Sequence, residues 1–133
     1  MKDLIFTNTY KKEELTSYNP LVFAFVGDAL HTLFVRNHVL KLGNTLVKDQ
    51  HKKSIALCNA KTQATTLDRI IKSLSEEEIA IVKRARNTKT THSAKNASDE
   101  EYKKSTSFEA LLGWHYLQGN TERVEFLLRN SVE

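Results

Sequence analysis

Two acidic residues, Asp28 and Glu109, lie in the two most apolar segments of the chain. Asp28 directly follows the run LVFAFVG, and Glu109 lies within FEALLGW. Carboxylates are almost never fully buried unless they are paired or bind a metal ion, because an unpaired buried charge is costly. Two carboxylates suit Mg²⁺, an ion that prefers oxygen ligands and can activate water against a phosphodiester bond.

A second interpretation applies to each acid taken alone. Asp28 or Glu109 could meet a buried Lys or Arg, or could lie on an exposed seam of its helix, and for a single acid this is the favoured interpretation. Two such acids, each near a glycine that permits close approach of helices, shift the balance toward a shared cation. The spacing by itself does not decide between the two.

A basic segment follows later in the chain, with cations at Lys83, Arg84, Arg86, Lys89 and Lys95. Cations at the C-terminus of a helix are favoured by its dipole, so a solvated basic face is one interpretation. The other is a surface that contacts phosphates. No aromatic residues alternate with these cations, which favours recognition of a duplex backbone over stacking on single-stranded bases.

Other residues give weaker indications of chemistry. Lys52 and Lys53 could extend the basic surface. The five histidines show no metal-ligand spacing, and His31, one turn after Asp28, receives no role. The sequence lacks a Gly-rich phosphate loop, a pair of cysteines in C-x-x-C spacing and a nucleophile elbow, so nucleotide-binding, zinc and hydrolase-triad functions have no support.

The elements that position these residues are expected to be helices. The clearest prediction begins with Asn19 as N-cap and Pro20 as first residue, runs to about residue 41 and stops at Gly43. Its first half is apolar nearly all round, which is typical of a central, buried helix. Periodicity predicts further helices at 45–58 and 60–74, the first with its apolar residues Leu46, Val47, Ile55 and Leu57 facing inward.

Capping signals place the remaining helices. Capping boxes at Ser75 and Ser98 predict two helices, one from 76 to about 87 and one that follows Ser98 and runs to 118, separated by a polar loop at 88–97. Thr121 is predicted to cap a last helix. The fold class is therefore all-α, and the length of 133 residues predicts one domain over 1–133, with 1–17 as a less certain extension.

Composition indicates the compartment. Cys58 is the single cysteine and cannot form an internal disulfide, which favours a reducing environment. The N-terminus lacks an apolar segment of signal-peptide length, and the most apolar stretch, residues 21–35, is too short and too polar to span a bilayer. We therefore expect a cytoplasmic protein with no membrane partner. The net charge of +4 is too small to specify a partner.

Five blocks of the sequence, in this order, resemble the Mini-ribonuclease III family. They are NPLVFAFVGDA (19–29), HKKS (51–54), AKTQA (60–64), KRARN (83–87) and STSFEALLG (105–113). The resemblance covers the chain from about residue 18 to its end. It implies the all-α ribonuclease III catalytic bundle, a homodimer and Mg²⁺-dependent cleavage of double-stranded RNA, with Mn²⁺ as an alternative ion, in the maturation of large-subunit ribosomal RNA precursors.

The resemblance also assigns roles to residues. Asp28 matches the catalytic Asp of the Gly-Asp motif, and Glu109 matches the catalytic Glu of the Phe-Glu-Ala motif. Phe25 matches an aromatic position at the dimer interface. Full-length ribonuclease III has further acids where this chain holds Ala24 and Thr106, so the number of metal ions stays open. The chain has no room for a separate duplex-binding domain, so the grip on RNA must come from this domain or from a partner such as a ribosomal protein.

Two alternatives remain from other functional classes. The first is a non-catalytic module that binds duplex RNA with the same fold, which would be expected to lack one motif acid. The second is a helical interaction protein with no RNA partner. Incubation with a long RNA duplex and Mg²⁺ separates the first from an enzyme, and binding to duplex RNA at low salt tests the second.

Overall fold

The computed structural model describes residues 9–89 and 96–133. Within these ranges the chain forms six α-helices and no β-strand, which confirms the all-α prediction. The helices are α1 (Pro20–Leu42), α2 (Val47–Cys58), α3 (Ala60–Ile70), α4 (Glu76–Asn87), α5 (Asp99–Gln118) and α6 (Thr121–Asn130). Short 3₁₀ helices lie at Lys12–Leu15 and Ile71–Ser73.

Local capping chemistry accounts for the starts of α1, α4 and α5 and for the end of α5. The Asn19 side chain accepts a hydrogen bond from the Leu21 amide at 2.9 Å, so α1 begins where the sequence predicts. Both predicted capping boxes form, at the starts of α4 and α5. Gly119 ends α5 with a φ of 73°, a left-handed conformation that glycine adopts without steric cost.

Three boundaries differ from the predictions. Helix α2 begins at Val47 rather than at residue 45, and the helix predicted over 60–74 changes to a 3₁₀ turn after Ile70. Thr121 is the first residue of α6 and does not cap it. The N-cap is Asn120, whose side chain makes no capping hydrogen bond.

The prediction for the faces of α2 was wrong for three of its four apolar residues, whereas the fourth, Leu57, is partly buried. Leu46, Val47 and Ile55 are exposed, with Val47 exposed by 84%. The side that packs against the rest of the protein carries Ser54, which is buried and bonds to the Gln50 carbonyl. Helix α2 packs mainly on α1, and three of its four predicted core residues lie outside this contact.

The core lies around the pair α1 and α5, which make the most extensive interhelical contact. Phe23 from α1 and Phe108, Leu111 and Leu112 from α5 are fully buried, and α6 contributes Leu127 to the same cluster. Burying such side chains contributes roughly 1.5–3 kcal/mol each. None of the helices within residues 9–89 and 96–133 combines the length and the apolar composition that a membrane-spanning helix needs.

A buried ionic cluster joins α4, α5 and α6. Glu78 is 4% exposed and accepts hydrogen bonds from the guanidinium of Arg123 at 3.0 Å and from His115 Nε2 at 2.7 Å. Its own capping bond to the Ser75 amide completes the set at 2.8 Å. Because Asn120 lies 3.0 Å from His115 Nδ1, the neutral ring can accept at Nδ1 and donate at Nε2.

This cluster should make stability depend on pH. Burial alone would raise the pKa of Glu78, but the Ser75 amide, Arg123 and His115 outweigh it and hold the pKa below 4.5. Burial lowers the pKa of His115 below 6.5, against the opposing effect of Glu78. Both groups bind fewer protons when folded, so the free energy of unfolding should fall as pH drops below about 6.5, and further below about 4.5.

Glu78→Gln should test the cluster directly. We expect it to lower the free energy of unfolding by about 3 kcal/mol at about pH 7.5, because it leaves Arg123 without its carboxylate. The deficit should shrink only below about pH 4.5, where the wild type begins to lose the contribution of ionised Glu78, as measured by urea unfolding over a series of pH values. Glu77→Gln removes an exposed carboxylate that pairs with Lys12, and this control should change stability by less than about 1 kcal/mol. An equal effect of the two variants would contradict the prediction.

Candidate active site

Two glycines bring the backbones of α1 and α5 into direct contact. A Cβ atom added to Gly27 would lie 1.9 Å from the carbonyl oxygen of Glu109, and one added to Gly113 would lie 1.9 Å from the carbonyl oxygen of Phe23. Only residues without a side chain permit so close a crossing. Asp28 is adjacent to Gly27, and Glu109 lies one turn before Gly113. The crossing therefore places the two acids beside each other.

Asp28 and Glu109, which the sequence predicts to converge, lie close enough for Asp28 to raise the pKa of Glu109. Their burial, however, differs from the prediction. Asp28 is exposed and Glu109 is only partly buried, so neither is an acid enclosed in the core. The reason is that α1 is buried on one side only, and Asp28 lies at the edge of its exposed side.

The pair alters the protonation of Glu109. Burial raises the pKa of Glu109 to about 9, and both the hydrogen bond with Asp28 and the repulsion between the two carboxylates add to the increase. A hydrogen bond donated by Gln63 acts in the opposite direction. Without a cation, Glu109 therefore keeps its proton at neutral pH and can donate it to Asp28. Paired carboxylates that share a proton are a common arrangement at catalytic and metal sites.

The donor set fits a hard divalent cation. Mg²⁺ takes one or two protein carboxylates and keeps several water ligands, and substrate phosphates complete its coordination. Over residues 9–89 and 96–133 no group of three or more His, Cys, Asp and Glu side chains could hold a metal. A magnesium site with only two protein carboxylates does not require such a group, whereas a structural zinc site does.

A polar network behind Glu109 was not predicted from the sequence. Gln63, from α3, lies 2.8 Å from His31 Nδ1 through its Nε2 atom, and the same atom donates to Glu109 Oε2 at 3.4 Å. Ser105 donates to the Gln63 side-chain oxygen. Helical periodicity could have indicated this residue, because Gln63 lies on the same face of α3 as the buried Ala64 and Leu67.

His31 belongs to this network, although the sequence assigned it no role. It is fully buried, and burial lowers its pKa to about 4, so the ring is neutral. Cys58 Sγ lies 3.5 Å from His31 Nδ1. Burial raises the pKa of Cys58 to about 11, so its thiol is protonated and unreactive. Within the described residues, His31 Nε2 has no hydrogen-bond partner.

The predicted basic residues do not form one free surface. Lys83, Arg84 and Lys89 are exposed. Arg84 donates to the Tyr18 carbonyl at 2.9 Å, which ties α4 to the segment before α1. Arg86 makes a bidentate pair with Glu100, and this pair raises the pKa of Arg86. Two of the predicted phosphate contacts therefore already have partners within the chain.

Three further basic positions complete the prediction. Lys52 and Lys53 are exposed on α2. Lys95 lies outside the described residues. A depression between α4 and α5 is lined by Arg86 and Lys89 together with Lys103 and Tyr102, which adds one cation that sequence reasoning did not select.

The aromatic side chain at Phe25 is 80% exposed, although it lies in the most apolar helix. It belongs to an apolar stripe along the exposed side of α1. The stripe consists of Tyr18, just before the helix, with Val22, Phe25, Leu33 and Leu40, all exposed large side chains at near-helical spacing. Asp28 borders the stripe, so any molecule that covers it approaches the carboxylate pair.

The sequence is similar to a known protein family and to several of its members. Residues 21–120 match the family model described as the ribonuclease III domain. The chain is 39% identical to Mini-ribonuclease 3 of Clostridium tetani, covering 97% of this chain and 86% of the relative. It is 42% identical to Mini-ribonuclease 3 of Brevibacillus brevis, with 91% and 93% covered.

Structural comparison gives the same result. The fold is similar to that in a crystal structure of a protein from Fusobacterium nucleatum, with a TM-score of 0.80 and 33% sequence identity. The match covers 90% of this chain and 95% of that protein. The ribonuclease III-like bundle expected from the sequence is confirmed.

Proposed function

The chain belongs to the Mini-ribonuclease 3 members of the ribonuclease III family, and we propose that it is a Mg²⁺-dependent endoribonuclease that cuts double-stranded RNA. One observation carries the proposal. The crossing of α1 and α5 brings Asp28 and Glu109 into contact at the protein surface, where a rigid polyanion can reach them. The family membership supplies the substrate class, and the carboxylate pair supplies a chemical reason for a divalent ion.

Asp28 and Glu109 would hold the ion, with Mn²⁺ as an alternative to Mg²⁺. When bound, the ion would lower the pKa of a water molecule and neutralise charge that develops on the scissile phosphate. Glu109 must first lose its proton, because only the carboxylate form can bind a cation. Binding near neutral pH should therefore release a proton, and affinity should increase as pH rises toward about 9.

The reaction is a hydrolysis. A bond forms between a water oxygen and phosphorus, the bond from phosphorus to O3′ breaks, and the leaving oxygen takes up a proton. The products carry a 5′-phosphate and a 3′-hydroxyl. Lys52, Lys53, Lys83 and Lys89 are exposed and would contact the phosphates of the duplex, as would Lys95 by the sequence prediction. Arg84 and Arg86 would have to rearrange their present contacts to do so.

The direct test uses purified protein, a long RNA duplex and either Mg²⁺ or EDTA. We expect cleavage only with the divalent ion, and products with 5′-phosphate ends. Single-stranded RNA of the same sequence is the control and should remain uncut. Duplex binding without cleavage would instead support the non-catalytic module. Absence of binding even at low salt would support an interaction protein without an RNA partner.

We further propose that the active form is a homodimer built on the α1 stripe. An exposed row of large apolar side chains on one helix is self-complementary across a two-fold axis. Such a dimer places two copies of Asp28 on either side of the interface. Two sites of this kind could cut the two strands of one duplex.

Phe25→Glu should dissociate the dimer. Each copy would lose about 1.5 kcal/mol or more of apolar burial, and a buried unpaired carboxylate adds a further cost. The dimer dissociation constant should therefore rise at least about 100-fold, measured by sedimentation equilibrium. Leu42→Glu, at an equally apolar exposed position of α1 away from the stripe, is the matched control and should remain dimeric. A monomeric wild-type protein would refute the proposed interface.

On the basis of the family resemblance, we propose that the biological substrate is the precursor of large-subunit ribosomal RNA. Mapping the ends of ribosomal RNA in cells with and without the protein tests this proposal, and unchanged ends would exclude this substrate. A ribosomal protein as partner stays a prediction. It would be tested by asking whether cleavage of purified precursor RNA requires that protein.

A further inference from the structure

Gln63 occupies an unusual position for a long polar side chain. It is only 3% exposed, and it projects from α3 into the space between His31 on α1 and Ser105 and Glu109 on α5. A buried amide must satisfy two N–H donors and a carbonyl oxygen, or it loses the hydrogen bonds that it made with water. The fold satisfies all three.

The partners fix the orientation of the amide. The Ser105 hydroxyl donates to the Gln63 oxygen, so the NH₂ group must point the other way. There it has two acceptors, His31 Nδ1 at 2.8 Å and Glu109 Oε2 at 3.4 Å. A flipped amide would turn its oxygen toward the Glu109 carboxylate in its ionised, cation-binding form, and the bond to Oε2 would be lost. The neutral ring of His31 accepts the bond from Gln63 at Nδ1 in the tautomer that carries its proton on Nε2.

We infer that Gln63 is a positioning residue that holds the Glu109 carboxylate in the orientation that binds the divalent cation, and that Ser105 acts through Gln63. This inference rests on the proposed function. An ionised carboxylate only accepts hydrogen bonds, so an N–H donor fixed at Oε2 restrains the rotation of the group and leaves its other lone pairs for the ion. Partners of this type commonly set the affinity of a metal site.

A purely structural role for Gln63 is the competing explanation, because buried polar networks also stabilise folds. The two roles differ in what they change. A structural residue changes stability but leaves the affinity of the folded protein for an ion almost unaltered. A positioning residue changes that affinity, and it changes kcat more than the KM for RNA.

The test is Gln63→Met, which keeps the side-chain length and removes both donors and the acceptor. We expect Mn²⁺ to bind the RNA-free protein about tenfold more weakly, measured by isothermal titration calorimetry. Cleavage at fixed Mg²⁺ should show a reduced kcat with little change in KM. Thr66→Val is the matched control, since Thr66 is buried on the same helix and donates to the Thr62 carbonyl of that helix. It should bind Mn²⁺ as the wild type does.

Ser105→Ala provides a milder second variant, which remains informative if Gln63→Met does not fold. It should weaken Mn²⁺ binding by a smaller factor, and its effect should vanish in the Gln63→Met background, because Ser105 acts only by orienting the amide. If the effects of the two substitutions on Mn²⁺ affinity were additive, Ser105 would not act through Gln63. If both single variants bound Mn²⁺ with wild-type affinity, this inference would be overturned and the proposed function would still stand. Failure of the proposed function would appear separately, as wild-type protein that neither binds Mn²⁺ nor cuts duplex RNA.

Discussion

Asp28→Asn and Glu109→Gln should each reduce the cleavage of duplex RNA by about a thousandfold or more. Each substitution removes one negative charge from the pair that would hold the divalent ion, and the ion's stabilisation of the transition state is worth several kcal/mol. Both replacements are close to isosteric. The measurement is the single-turnover cleavage rate at saturating enzyme and fixed Mg²⁺, which separates chemistry from RNA binding.

Folding should survive both changes, which makes the loss of activity interpretable. In the ion-free protein Glu109 is protonated at neutral pH, so the neutral amide of the Glu109→Gln variant would resemble the state already present. Dimerisation and the affinity for duplex RNA in EDTA should therefore be unchanged. Asp68→Asn is a suitable control, because Asp68 is an exposed carboxylate paired with Lys104 away from the helix crossing. Undiminished cutting by either active-site variant would refute the assignment of that residue.

Helix boundaries were predictable because their causes are local. A cap depends on a few neighbouring residues, so Asn19 with Pro20 and the boxes at Ser75 and Ser98 determine where helices begin whatever they pack against. Gly119 ends α5 for an equally local reason. The last helix shows the limit of such reasoning, since Thr121 has a favoured capping side chain but α6 begins one residue too early for it to cap the helix.

Burial was less predictable, because it depends on which helices lie nearby. The apolar residues of α2 predict an inward face, but α2 packs on α1 along a seam that includes Ser54, and Val47 and Ile55 remain outside. The same reasoning failed for Asp28. The uniformly apolar first half of α1 suggests burial all round, whereas Phe25 on this helix is almost fully exposed. An apolar pattern does not by itself distinguish a helix face in the core from one at the protein surface.

The candidate site was predicted in part, for a reason that the structure supports. Each acid lies close to a glycine in sequence, and glycines mark the points where two helices can touch. The glycine contact brings Asp28 and Glu109 together even though they are not enclosed in the core. Gln63 was missed because its role depends on three helices that meet in space, and no spacing along the chain encodes that meeting.

The contact between α1 and α5 at Gly27 and Gly113 leaves no space for even a methyl group. Gly27→Ala and Gly113→Ala should each lower the free energy of unfolding by about 3 kcal/mol or more. In each case the new Cβ atom would lie 1.9 Å from a backbone carbonyl oxygen of the opposite helix. Overpacking a core with flexible side chains costs about 1–3 kcal/mol, but a backbone oxygen cannot rotate away. The two helices must separate instead.

The sign of this effect is diagnostic. In a helix interior, Ala is intrinsically more stable than Gly by about 1 kcal/mol, so both variants would be stabilised if the helices were not in contact. Ala80→Val adds side-chain volume at an exposed position of α4 and should change stability by less than about 1 kcal/mol. Urea unfolding measures the stability of all three variants.

Separation of α1 from α5 should also weaken Mn²⁺ binding by the folded protein, because the contact between these helices sets the distance between Asp28 and Glu109. A Gly27→Ala protein as stable as the wild type, with unaltered Mn²⁺ affinity, would show that the crossing does not position the carboxylates.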